Sequence, residues 1–288
     1  MMSKLLYYFV VYPVSLLPFV ILYLLSDVLA FVLEYIVKYR RTVIWNNLKN
    51  SFPEKTEKEL KIILHKFYTH FSDIVLEGLK GFSLSEKEVR KRITFEGMED
   101  FDKFYKEDRD VLVVTGHYGN WEMPGTTISL FIKHLPIALY KPLTNKFFDE
   151  KAKISRAAFG VALIAMKEFK EECANKLNAP RAFGLVTDQS PSSPDRCYWT
   201  TFLNQETGVL FGTEKYAKQL DAPVVYMSIH RQKRGYYNVK FTTLVAFPNE
   251  TSHGEITEKH TKFLEKDINA KPENWLWSHK RWKHKKPN

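Results

Sequence analysis

The sequence predicts an α/β domain, with a largely parallel central sheet flanked by helices, behind an N-terminal membrane helix. Three observations carry this. Val111-Leu-Val-Val114 is an apolar, mostly β-branched run closed by Thr115-Gly116, the pattern of a strand buried on both faces. From there to Val245, strand-like segments alternate with helix-like ones, as in a sheet whose parallel strands are joined by crossover helices. No charged residue occurs between Leu5 and Leu25, a length that matches the roughly 20 residues needed to cross hydrocarbon.

In the N-terminal stretch, Tyr7, Tyr8, Tyr12 and Tyr23 sit toward the ends, where interfacial aromatics belong. Pro13 and Pro18 weaken the helix locally, so a kinked or half-inserted form is compatible with the sequence. No small-residue cleavage pattern follows. A buried core helix is the plain alternative. Lys38, Arg40 and Arg41 come next, and by the positive-inside rule they put the remainder on the cytoplasmic side. Residues 1–41 thus read as anchor and basic flank, and 42–288 as one domain with a helical first part over 42–108.

Within that first part, Ser51-Phe-Pro-Glu54 is a break, and Thr56-Glu-Lys-Glu59 has the spacing of a capping box. Leu60, Ile63, Leu64, Phe67 and Phe71 recur at helical spacing, predicting a helix to about His70. His65 and His70 read as surface or packing histidines. Residues 83–108 are charged and read as helix plus loop.

Further on, strands are expected at Pro136–Tyr140, Val161–Ile164, Arg181–Thr187, Pro223–His230 and Tyr236–Val245. Helices are expected at Asn145–Gly160, Phe169–Leu177 and Thr207–Leu220. In such sheets the ligand crevice lies beyond the carboxyl ends of the strands. His117, Lys141 and Asp188 each follow directly on an expected strand end, which gives them one shared crevice.

The stretch after the first strand carries the chemistry. Gly119 permits a tight turn, and Asn120 is a good cap for a helix entered at Trp121. His117 and Glu122 are separated by about 140° on a helix, so they do not sit side by side on one. With His117 in the turn and Glu122 in the first helical turn, the two converge. A carboxylate then holds an imidazole in one tautomer while its other nitrogen takes a proton from a hydroxyl. The bland alternative is a satisfied loop histidine.

Composition bounds the partners. The chain has 288 residues, 44% hydrophobic and 15% aromatic, enough for a sizeable core, and a net charge of +10. That charge calls for an anionic partner: nucleic acid, anionic lipid or an acidic protein. The two cysteines, Cys173 and Cys197, make neither a CxxC pair nor a zinc pattern with the histidines, so no metal is expected and a reduced compartment fits. No Gly-x-Ser-x-Gly elbow and no glycine-rich phosphate loop occur. Residues 271–286 interleave three tryptophans with cations. A solvated basic tail is one reading, and a surface touching a membrane interface or an anion is the favoured one.

Taken in order, these residues resemble the lipid A biosynthesis acyltransferases, the late lauroyl/myristoyl transferases of Gram-negative inner membranes. The likeness spans nearly the whole chain. It includes the apolar helix, Arg40-Arg41, Asn46-Asn47-Leu48, Ser51-Phe-Pro-Glu54, Gly116-His117-x4-Glu122, Tyr140-Lys141-Pro142, Arg156, Asp188-Gln189, and Pro272-Glu273-x-Trp275-x-Trp277-x-His279-x-Arg281-Trp282-Lys283. Glu at 122 favours the lipid A branch over the glycerolipid branch, where Asp is general. Two departures stand out: Lys141 where related enzymes often carry Arg, and Phe202-Leu203-Asn204 where a Phe-Phe-Gly-like segment is usual.

The resemblance implies a glycerolipid acyltransferase-like fold at the cytoplasmic side of a bacterial inner membrane. It implies transfer of an acyl chain from an acyl carrier protein thioester to a hydroxyl of a lipid A precursor, without cofactor, metal or nucleic acid. His117 would be the general base, with Glu122 orienting it and stabilising the imidazolium. Arg156 and Lys141 would hold substrate phosphate or the developing oxyanion, with Asn120 beside them. Asp188 is either structural or lines the crevice. Two rivals remain at this stage. One is an acyltransferase for another lipid (phospholipid, ornithine lipid or glycolipid). The other is a non-enzymatic basic membrane-surface or nucleic-acid binder, against which the clustering of His117, Lys141 and Asp188 argues.

Overall fold

The computed structural model of the protein describes residues 2–175 and 179–287. The N-terminal segment is not one helix. Helices α1 (Met2–Leu6) and α2 (Tyr12–Leu16) are joined by a π-helical turn, Tyr7–Val11. At Leu17 and Pro18 the backbone is extended before α3 (Phe19–Phe31), which runs on through a second π-helical turn, Val32–Ile36. The break falls where proline removes a donor and disfavours helix in the preceding residue. Phe19–Ile36, rather than Leu5–Leu25, is the helix long and apolar enough to cross a membrane by length and composition.

Helix α4 (Arg41–Ser51) leads to α5 (Glu57–Lys80), which opens with both halves of the expected capping box at Thr56 and Glu59. It continues past His70 because Ile74 and Leu76 extend the buried face and no proline intervenes before Gly81; Gly78 is carried within the helix. The charged stretch that follows hides a strand: α6 (Glu86–Arg92), β1 (Ile93–Glu96) and α7 (Glu99–Lys106). Then come β2 (Val111–Thr115), α8 (Glu122–Thr127), β3 (Leu135–Tyr140), α9 (Lys146–Ala157), β4 (Ala162–Ala165), α10 (Phe169–Ala174) and β5 (Arg181–Val186). The expected end of α10 at Leu177 lies outside the described residues.

A second difference follows β5. Where the beginning of a helix was expected, β6 (Cys197–Phe202) and β7 (Gln205–Leu210) form an antiparallel hairpin, and the helix proper is α11 (Gly212–Leu220). Leu203 and Asn204 make its two-residue turn, both left-handed at φ 50° and 61°, as such turns require. The chain ends with β8 (Val224–Lys233), β9 (Tyr236–Val245), α12 (Glu255–Ala270) and a strap over residues 271–287.

The seven-stranded sheet has the order β1-β9-β8-β2-β5-β3-β4. Five strands from β8 to β4 are parallel; β9 and β1 are parallel to each other and opposed to those five. Successive side chains of β2 go to opposite faces. Leu112 and Val114 join a core that includes residues of α4, α5, α11 and α12, while Val111 and Val113 join one that includes residues of α6, α7 and α8. Burial on both faces explains why β2 reads as a continuous apolar run.

Two of the basic tail's three tryptophans turn inward rather than outward. Trp275 and Trp277 are wholly buried, stacked edge to face with centroids 4.7 Å apart, and Trp277 Nε1 donates to the Pro272 carbonyl at 2.6 Å. Arg281 is buried and donates to the Gly208 carbonyl, and Trp282 Nε1 donates to Thr207. Only the lysines face solvent. Trp277→Ala leaves a large cavity between α4 and the strap, with an expected loss of about 3–5 kcal/mol. Urea denaturation monitored by circular dichroism measures it.

Candidate active site

The sheet register assembles the site. Thr115 of β2 lies opposite Val186 of β5, so two residues beyond each strand His117 stands beside Asp188. The imidazole Nδ1 is 2.6 Å from Asp188 Oδ1, and the His117 backbone N–H donates to Oδ2 at 2.9 Å. Trp275 Nε1 donates to that same Oδ2 at 2.7 Å. A carboxylate can only accept, so Nδ1 carries its proton and Nε2 is the free base. Nε2 is 3.2 Å from the Gln189 amide nitrogen, and the side chain keeps 16% of its surface exposed. Trp121 packs its edge against the ring at 4.9 Å between centroids.

Two features shape the loop that carries His117. Gly119 is left-handed, at φ +60°, and a Cβ there would press on the Ile229 carbonyl at 3.0 Å. Gly116 lies so close to α12 that a Cβ would sit 2.6 Å from Leu264. The strap then clamps the loop: Gly119 N–H donates to the Asn274 carbonyl and Leu276 N–H to the His117 carbonyl. His279 Nε2 receives the Ser190 N–H at 3.0 Å, fixing the loop on the Asp188 side.

Asn120 is buried, with both ends of its amide engaged. Its oxygen accepts the Met123 N–H, capping α8, and its nitrogen donates to Glu77 Oε2 at 2.6 Å. The structure thus makes it a support for the loop, where the sequence reading also held it as a substrate contact. Glu77, from the last turn of α5, also accepts the Tyr237 and Tyr23 hydroxyls. Burial pushes its carboxyl above the usual range, against the pull of those three donors.

The main difference from expectation concerns Glu122. Asp188 occupies Nδ1 of His117, and Glu122 is paired with Arg156 Nε from α9. Both partners of that second pair are about a third exposed, at 33% and 34%, and so are open to a ligand. Lys141 is exposed, and among the described residues it pairs with no acid.

The electrostatics separate the two acids. Burial would raise the Asp188 pKa, but the His117 charge and the three N–H donors win and bring it down to about 2. Burial likewise opposes a charged His117, yet Asp188 and then Glu122 more than offset it, and its pKa lies above the usual histidine value. His117 is thus a strengthened base. Cys173, by contrast, is pushed up to about 11 by burial, and the same cause raises Cys197. Neither thiol is a ready nucleophile. Among the described residues no group of three His, Cys, Asp or Glu side chains is arranged to hold a metal.

The sequence over residues 1–284 matches the family described as bacterial lipid A biosynthesis acyltransferase. This chain belongs to that family. The acyltransferase is 23% identical to the lipid A biosynthesis palmitoleoyltransferase of Escherichia coli, over 93% of this chain and 86% of that protein. It is 22% identical to the lipid A biosynthesis lauroyltransferase of the same organism, over 93% and 87%. A lipid A biosynthesis acyltransferase of Haemophilus influenzae is 22% identical over 85% and 78%.

Three residues of the site were given no role in the sequence reading: Gln189 on Nε2, Trp275 on Asp188, and Glu77 beneath the loop. Gln189 and Trp275 entered only as members of the motifs that carry the resemblance, and nothing local marks Glu77.

The pairing predicts a titration. His117 should titrate above the ordinary value of about 6.5, and Asp188→Asn should lower it by removing the charge that favours imidazolium. The stabilisation from this pair is complete below the unfolded histidine pKa and fades as pH rises through the raised folded value. Histidine NMR titration of both proteins checks this; an unchanged His117 pKa in Asp188→Asn would show that the contact is not what raises it.

Proposed function

We propose that this acyltransferase moves a fatty acyl chain from an acyl carrier protein thioester to a hydroxyl of a lipid A precursor, at the inner face of a bacterial inner membrane. The observation that carries the mechanism is a His117 whose Nδ1 is held by buried Asp188 while Nε2 opens on the crevice. The acceptor hydroxyl displaces the Gln189 amide and gives its proton to Nε2 as its oxygen attacks the thioester carbonyl. The ester bond forms, the carbon–sulfur bond breaks, and the imidazolium returns the proton to the departing thiolate. Asp188 holds the tautomer and stabilises the imidazolium, as the third member of a catalytic triad does.

Glu122 acts at one remove in this mechanism. It presents the Arg156 guanidinium to the crevice, where planar paired donors suit a substrate phosphate or the developing oxyanion. Lys141, exposed at the end of β3, supplies further positive charge at the rim. Direct transfer without an acyl-enzyme fits the raised thiol pKa values and the absence of a serine elbow. The +10 charge of the chain suits both an acidic carrier protein and a phosphorylated lipid.

With acyl carrier thioester and purified acceptor, His117→Ala should lose about 10²–10⁴ in kcat, and Asp188→Asn about 10³–10⁴ with little change in KM. Mass spectrometry of lipids from a deletion strain, restored with wild type or His117→Ala, tests the acceptor. Loss of an acyl chain from phospholipid or another lipid, with lipid A unchanged, would refute it.

The Glu122–Arg156 pair gives a separate test. Arg156→Lys keeps the charge and loses the fork, so kcat/KM should fall well beyond any change in thermal midpoint. Glu122→Gln should cost a similar factor, and the double variant little more than either single one, because the two act as a unit. Additive losses in this cycle would assign them independent roles.

A further inference from the structure

The apolar N-terminal helix has two faces with different fates. Phe19, Leu22, Ser26, Ala30 and Glu34 are buried, at spacings that mark one side of a helix, while Val20, Leu24, Val28, Phe31 and Tyr35 on the other side are more than half exposed. The buried side is docked on α5 by polar contacts. The Tyr23 hydroxyl donates to Glu77, Ser26 Oγ to Asp73 at 2.6 Å, and Glu34 accepts from His65 Nδ1 at 2.7 Å. These partners descend along α5 as the helix ascends, so the two lie antiparallel over about 16 Å. Asp27, beside them, is paired with Arg234, which also binds Asp73.

The break before this helix is also built into the domain. Lys80 Nζ donates to the carbonyls of Ser15 and Leu17, and Ser83 Oγ to that of Ser15. These are acceptors that a proline break would otherwise leave unsatisfied in hydrocarbon.

We infer that this helix does not cross the bilayer but lies in the plane of its surface, docked on α5, with the face of Val20, Leu24, Val28 and Phe31 sunk among the acyl chains. Crossing has two routes. If the helix stays docked, α5 goes with it, together with the charged Lys58, Lys61 and Lys66 and the sheet behind. If it undocks, Asp27 and Glu34 enter hydrocarbon unpaired, and Asp73 is left beneath a lost partner. Charges at that depth are among the costliest groups to insert. Lying flat needs neither.

Charge chooses the occupant. Lys4 precedes the apolar segment and Lys38, Arg40 and Arg41 follow it, all exposed. An apolar face bordered by the half-exposed Asp27, which Arg234 neutralises, and flanked by cations fits an anionic lipid surface. A second copy of this net-positive chain would bring like charges together.

This inference rests on the membrane association proposed above, and two measurements separate the two. The first is flotation with phosphatidylglycerol vesicles. Wild type should float, and Leu24→Ser with Val28→Ser and Phe31→Ser should bind at least ten-fold less with an unchanged thermal midpoint, since all three face outward. If wild type fails to float, both readings fall. If the triple variant instead dissociates a dimer seen by sedimentation in lipid-free buffer, the face belongs to a second copy.

The second measurement is topology, using Lys4→Cys and Lys285→Cys separately in a Cys197→Ser background. A membrane-impermeant maleimide is applied to spheroplasts and to inverted membrane vesicles. An in-plane helix labels both positions in one preparation and neither in the other. Labelling of the two positions in opposite preparations shows a crossing and overturns the inference while leaving membrane association intact.

Discussion

Much of this structure depends on one carboxylate. Asp188 is wholly buried and ionised, a state that costs several kcal/mol unless donors surround it. It has three, and they come from two distant parts of the chain: two from His117 and one from Trp275. Satisfying Asp188 therefore fixes the backbone of the His117 loop as well as its ring. It also requires the C-terminal strap to lie across the crevice floor, which is why two tryptophans from a basic tail end in the core. Nε2, which has only the Gln189 amide within hydrogen-bond distance among the described residues, is the ring nitrogen left over once Asp188 holds Nδ1.

A second buried acid works from below. Glu77 accepts from Asn120 on the His117 loop, Tyr237 on β9 and Tyr23 on the N-terminal helix. Asn120 passes this constraint to α8 by capping it, and α8 begins with Glu122. The N-terminal helix, the His117 loop and α8 thus share one side-chain network through Glu77. Buried networks of this kind are rigid when every member is satisfied, and each acceptor here is.

How much of this could be read beforehand follows from the range of the interactions. The strand before His117, the turn at Gly119 and the cap at Asn120 are local, and sequence carries them. The alternation that gives a parallel sheet is also local, repeated. The partner of His117 is not. Nearness in sequence offered Glu122, while the choice of Asp188 depends on β2 and β5 being neighbours with Thr115 opposite Val186, which no local pattern states. Asp188 was placed at the right sheet edge without its role. β1 was hidden because a four-residue edge strand among charges has little apolar signal. The β6–β7 hairpin was missed because its turn uses Leu203-Asn204 in place of a glycine-marked pair. In the tail, charge masked an apolar periodicity. Trp275, Trp277 and Arg281 turn inward while the lysines between them do not.

The division of labour between the two acids near His117 follows from their burial. Asp188 is sealed, held down to about 2 and surrounded by donors, so it can orient and neutralise but cannot touch a substrate. Glu122 is a third exposed and paired with Arg156, so that pair stays open to a ligand. Exchanging the two roles would fail on physical grounds. A partly solvated acid holds an imidazole loosely, and a sealed one has no access to ligand. The His117–Asp188 unit is therefore the part of the proposed chemistry that the sheet register itself brings together. In the proposed mechanism the partly exposed Glu122–Arg156 pair, on α8 and α9, and the exposed Lys141, just past β3, are the groups left for an acceptor, and none of them holds the His117 ring.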